Sequence, residues 1–178
     1  MGNNLIPVYR EREFYTLFYD QHQNVIYKLQ HRNKSFGLFF MFIIAMTWFS
    51  ESLDAFYINY KNPLLNIVIF IFALGITYYV SNRFYNAYYQ QESKRELILD
   101  KDEMKEYAIK GLKQLKIEFY SSIVSLPISF FFYTIFFITS KVRPMVIGCI
   151  FLGVTFILFF MKPLSRKRIL RQFKDGIY

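Results

Sequence analysis

The sequence predicts an all-α integral membrane protein whose four transmembrane helices form two hairpins, with cytoplasmic amphipathic helices before the first and third spans. Three observations carry this. Four long uncharged stretches run Ser35–Ser50, Asn62–Asn82, Phe119–Ser140 and Pro144–Met161. Hydrophobic residues make up 54% of the 178, and Phe alone occurs 22 times. Lys and Arg are distributed very unevenly between the loops. A hydrocarbon core of about 30 Å takes roughly 20 apolar helical residues to cross. Only helices or closed barrels satisfy their backbone polar groups in lipid. The runs lack barrel-type alternation and read as helices.

The expected organisation is a single membrane domain over 1–178. It comprises an N-terminal cytoplasmic or interfacial segment (1–34), spans at 35–53, 62–82, 119–140 and 144–162, a cytoplasmic helical loop (83–118) and a basic tail (163–178). The segments before, between and after the two hairpins carry 5, 8 and 6 Lys/Arg, against 1 and 2 in the short loops, Lys61 and then Lys141 and Arg143. Positive residues stay cytoplasmic. Both termini and the middle loop are therefore expected inside the plasma (inner) membrane, in a multi-pass arrangement. The first 34 residues show no apolar core before a small-residue cleavage site, so no cleavable signal is expected. Met1-Gly2 begins like an acylation signal, but Ile6 breaks the pattern. A bias toward Lys, Asn, Ile, Phe and Tyr suits a low-GC bacterial proteome.

Element by element, Arg10–Lys34 has no Gly or Pro. Phe14, Leu17, Phe18, Val25, Ile26 and Leu29 fit one helical face, which predicts an interfacial helix. The alternative is a hairpin of 14–19 and 25–29 about the turn-like Asp20–Asn24. The first span is short unless it continues past Glu51. Trp48, Phe56, Tyr57 and Tyr60 suggest an outer aromatic belt, and Pro63 suits a helix start. The second span is expected to continue as helix over 82–99, with Tyr78, Tyr79, Tyr85, Tyr88 and Tyr89 marking its exit from lipid. Asp100 and Glu103 read as a capping box. The helix that follows puts Met104, Tyr107, Ala108, Leu112, Leu115 and Phe119 on one side, and Met104, Leu112 and Leu115 are the expected partner-docking face. A weak parallel repeat, with Pro63 set on Pro144, is an alternative to unrelated halves.

Candidate functional residues are few. Ser122, Ser125, Ser129 and Tyr133 recur at spacings of three, four and four on the third span. Pro127 lies within the row and frees a carbonyl that the hydroxyls can help satisfy. The row is read first as helix packing and second as the lining of a wet path. Arg166, Lys167, Arg168 and Arg171 are expected to hold anionic lipid headgroups. Glu51 and Asp54 read as a solvated outer cluster near Lys61, with a cation-attracting mouth as the alternative. No phosphate-binding loop, dinucleotide fingerprint, C-x-x-C or H-E-x-x-H motif occurs. His22 and His31 lack a third ligand nearby, and Cys149 sits alone within the fourth span. No catalytic, cofactor or metal site is expected.

The expected function is that of a non-enzymatic accessory or regulatory subunit of immunity, secretion or defence-system type, binding a partner through its cytoplasmic helices. The alternative is a homo-oligomeric membrane pore or permeability effector lined by the third span. Membrane lipids, and either self-association or a protein partner, are the expected contacts. The mixing of 8 basic with 7 acidic residues in the middle loop disfavours nucleic acid.

Overall fold

The structure is a computed structural model describing residues 5–11, 14–31, 36–57, 59–60, 62–89 and 94–176. Ser35 and Lys61, used in the sequence argument, lie outside these. In chain order the elements are β1 (Leu5–Glu11), β2 (Tyr15–Asp20), β3 (Val25–Gln30), α1 (Phe36–Tyr57), α2 (Pro63–Tyr88), β4 (Arg95–Leu97), α3 (Lys101–Thr139), α4 (Val142–Phe160) and α5 (Pro163–Asp175). The chain divides into two compact units. One comprises Met1–Asn33, Arg83–Ser121 and Ile157–Tyr178; the other comprises Lys34–Asn82 and Ser122–Phe156.

The first unit corrects the sequence expectation. Among the described residues of 10–34 the structure holds not the interfacial helix but the alternative hairpin, with β2 and β3 joined at Asp20–Asn24. Both strands belong to a four-stranded antiparallel sheet in the order β1-β2-β3-β4. Asp20 makes the β2–β3 turn by accepting the His22 N–H at 3.0 Å, and Asn24 adopts positive φ. The apolar pattern misled because both faces of the sheet are covered, which removes the alternation of a half-buried strand. Leu17 and Ile26 face a core shared with Ala108, Leu115, Ile169, Leu170 and Phe173 of α3 and α5. Phe18 and Leu29 face a second core with Tyr85 and Tyr89 and with Met161. The tyrosines expected to mark the exit from lipid are thus partly core residues. Beyond Asn82 the helix continues only to Tyr88; β4 occupies part of the remaining stretch.

α3 begins as its sequence predicts. The Glu103 N–H donates to Asp100 Oδ1 at 2.7 Å, and Glu103 Oε2 accepts the Asp100 N–H at 3.2 Å. The helix runs 39 residues, through Pro127.

The described secondary-structure elements of the second unit are all helices. Among the described residues, three helices are long and apolar enough to cross a membrane: α2, α3 and α4. The 19 residues of α4 span about 28 Å, close to a hydrocarbon thickness. Each of the three buries less than a quarter of its most apolar stretch. Phe72, Phe130, Phe131 and Ile138 are all more than half exposed. Water would penalise such a surface, whereas acyl chains cover it without cost. The interior holds Tyr133, Phe136, Val142 and Met145, with Phe70 edge-on to Tyr133 at 4.9 Å.

Candidate functional site

The hydroxyl row of α3 is buried against α4. Ser125 Oγ donates to the Phe151 carbonyl at 2.8 Å, and Ser129 Oγ donates to the Gly148 carbonyl at 2.9 Å. Tyr133 OH reaches Cys149 Sγ at 3.7 Å. Gly148 makes this approach feasible: a Cβ there would lie 2.7 Å from the Tyr133 ring. The hydroxyls therefore satisfy carbonyls across the helix pair, not the carbonyl freed by Pro127. Pro127 is exposed, and Ser122 is half-buried at the head of the row. α2 meets α4 through Ser81, whose Oγ reaches the Gly153 carbonyl at 3.4 Å.

The Glu51–Asp54 cluster serves the start of α4. Asp54 accepts the Val142 N–H, an unsatisfied donor at that helix end, and Glu51 pairs with Arg143. Nearby, Tyr57 OH donates to Asn66 Oδ1 at 2.5 Å, and Asn66 Nδ2 donates to Ser140 Oγ at 3.0 Å. This knot borders an open notch of about 400 Å³ between Asn62–Ile67 and Phe137–Ser140.

A further polar arrangement lies in the sheet-containing unit, along the outer edge of β1. An exposed strand edge invites pairing with other chains. Here the edge is closed by side chains. Gln114 Oε1 accepts the Arg10 N–H at 3.0 Å, and Gln114 Nε2 donates to the Arg10 carbonyl at 2.5 Å, imitating a neighbouring strand. Gly111 permits the contact, since a Cβ there would lie 2.4 Å from the Val8 carbonyl oxygen. Below it, Arg166 Nη1 donates to Glu118 Oε2 at 2.5 Å, while Arg10 lies 3.9 Å from the other carboxylate oxygen. Arg166 is 2% exposed, and its Nε has no partner among the described residues. Tyr85 and Tyr89 feel this charge. Burial raises both hydroxyl pKa values, that of Tyr89 to about 12, against the opposing pull of Arg10 and Arg166 on Tyr89. Both stay protonated at neutral pH and cannot offset the guanidinium groups. On the β2–β3 side, buried Thr16 meets His31 Nε2 at 2.8 Å, and Tyr88 OH meets His31 Nδ1 at 3.1 Å.

Two sequence assignments change. Arg166 is buried and ion-paired, so it does not face headgroups; Lys167, Arg168 and Arg171 are exposed. Met104, Leu112 and Leu115 do not form an open docking face. Leu115 is buried and the other two pack on the same core, covered by the chain's own sheet and α5. Glu118, Gln114, Arg10 and Gly111 were missed. One signal was readable: Arg166 shares its helical stripe with Ile169, Leu170 and Phe173, a placement that demands a buried partner. His31 is buried and His22 exposed. Among the described residues, no three His, Cys, Asp or Glu side chains converge.

Comparison of the chain with family models, curated proteins and solved structures finds no match.

Proposed function

We propose that this chain is a non-enzymatic membrane accessory subunit with four spans and both termini in the cytoplasm, which presents a folded α/β module to a partner at the inner face of the plasma membrane. The observation that carries this reading is the composition of the sheet-containing unit. Its three segments, 1–33, 83–121 and 157–178, lie far apart in sequence but share cores, so they belong on one side of any membrane. They are also the three segments rich in Lys and Arg, which favours the cytoplasmic side. Parity then supports a fourth span. If α2 crosses, and the segments before α1 and after α2 lie on the same side, α1 must cross in the opposite sense. Its extension to Tyr57 gives 22 residues, about 33 Å, enough to do so.

The partner surface is the outside of this module, because Met104, Leu112 and Leu115 are already occupied. Ile98, in the β4–α3 connection, is 93% exposed and is the most prominent apolar group there. The pore reading finds less support, because the Ser125 and Ser129 hydroxyls that suggested a wet lining are engaged by α4.

The test is the mass of the detergent-purified particle by light scattering, together with ion flux across proteoliposomes. A particle without a closed homo-oligomeric ring, and vesicles no leakier than empty ones, are expected. A closed ring with protein-dependent flux would replace this reading with the pore.

A further inference from the structure

α5 is amphipathic in an unusual setting. Ile169, Leu170 and Phe173 are buried in the unit's core, and the opposite side exposes Leu164, Lys167, Arg168, Arg171 and Lys174. Interfacial helices usually bind bilayers by sinking an apolar face among the acyl chains. α5 has already committed that face to the sheet and α3. Its remaining means of engaging lipid are charge and the first exposed leucine.

The contacts of α5 order these charges by height along α3. Arg166 meets Glu118, and Leu170 lies against Gly111. α5 therefore ascends α3 in the direction away from Phe119, where the uncharged run of α3 begins. At 1.5 Å per residue it rises up to about 6 Å between Arg166 and Leu170, and up to about 12 Å by Lys174. On the same scale Lys167 and Arg168 rise no more than about 3 Å above Arg166, and Arg171 about 8 Å. Lys174 is carried past the Debye length of about 8 Å at physiological salt. The exposed carboxylate of Asp175 further dilutes positive charge at the far end. At the near end Phe159 is 70% and Leu164 83% exposed, flanking the reversal at Lys162, whose φ is 50°. These are apolar groups at the point where α4, a helix apolar enough to span, gives way to the cations.

Resting on the membrane reading above, we infer that Leu164, Lys167 and Arg168 form a contact site for anionic phospholipid headgroups, to which Arg171, about one Debye length further up, and Lys174, beyond it, add little. Attraction near a charged leaflet is worth about fivefold in affinity for each basic residue, so two together amount to roughly 25-fold.

The experiment uses the full chain in nanodiscs of phosphatidylcholine alone or with phosphatidylglycerol. It reads the melting midpoint and the number of anionic lipids retained in native mass spectrometry. The wild type is expected to melt higher with phosphatidylglycerol and to retain it. The paired variant Lys167→Glu with Arg168→Glu should lose both effects, as should the milder Lys167→Gln with Arg168→Gln. Arg171→Glu with Lys174→Glu changes the charge by the same amount and should keep both. All variants should melt alike in phosphatidylcholine, because the four side chains are exposed. Equal losses from the near and far pairs would mean a diffuse field and overturn the site. Equal stabilisation by soluble polyglutamate in phosphatidylcholine discs would assign the row to an acidic polymer, which also overturns it. A chain that stays soluble and outside the discs would remove the membrane reading, and this site with it.

Discussion

Arg166 is the residue on which the sheet-containing unit most visibly turns. A guanidinium with almost no exposure is tolerated because Glu118, 14% exposed, accepts its Nη1 hydrogen bond, with Arg10 a looser second cation. Breaking a buried pair from one side is costly because it strands a charge, whereas replacing both partners can be nearly neutral. Glu118→Gln should therefore destabilise the protein by roughly 3 kcal/mol, at the low end of the usual range because Glu118 retains some solvent. Glu118→Gln combined with Arg166→Met should recover much of that loss. Thermal unfolding in a single detergent checks it, and a double variant no more stable than the single would mean that Arg166 does not depend on Glu118. The residue scale also shows what sequence reading lacks. Gly111 and Gln114 are unremarkable as letters; they matter because one backbone oxygen of β1 and one strand edge come to rest beside them.

Among the elements, the α3–α4 pair is where small residues and hydroxyls set the packing distance. In a bilayer the apolar effect does not drive helices together, so close approach and interhelical hydrogen bonds do. Such bonds average about 0.6 kcal/mol, so Ser129→Ala should shift the melting midpoint little. Ser129→Leu puts a branched side chain into a site 1% exposed, and overpacking costs about 1–3 kcal/mol. The expected order is wild type, then Ala close behind, then Leu clearly lower. Equal stability of the Leu variant would mean that the α3–α4 contact opens in lipid and would restore the hydroxyl row as a candidate lining. The periodicity of this row was legible because a hydroxyl every three or four residues in an apolar helix stands out from its neighbours. Its direction, toward α4, was not, since spacing defines a face without naming what the face meets.

At the scale of the whole molecule, the prediction concerns sidedness. Three segments that share cores must lie together, and positive charge favours the cytoplasm for all of them. In a Cys149→Ala background, a cysteine placed at Asn59 should react with an impermeant maleimide on intact cells. Cysteines at Asp100 and Asp175 should react only after permeabilisation. Labelling of Asp100→Cys and Asp175→Cys in different compartments would break the parity argument and the four-span arrangement.

The sequence alone was sufficient for the long apolar helices, because length and the exclusion of charge are local properties that lipid reads one segment at a time. The start of α3 was equally legible, since Asp100 and Glu103 satisfy each other's N–H groups within a single turn. The N-terminal sheet was legible only in part, as the alternative hairpin about Asp20–Asn24 and not as the preferred helix. Leu17 and Phe18 face different cores, so the polar-apolar alternation that announces a strand is absent, and the remaining apolar positions imitate a helix. Which side of α3 stays free was out of reach, because Met104, Leu112 and Leu115 are covered by strands more than 70 residues earlier and by a helix some 50 residues later. Only the tertiary structure decided that Arg166 lies inside while Lys167 and Arg168 lie outside: burial depends on what packs against each side of a helix, and that is fixed by segments the local sequence does not contain.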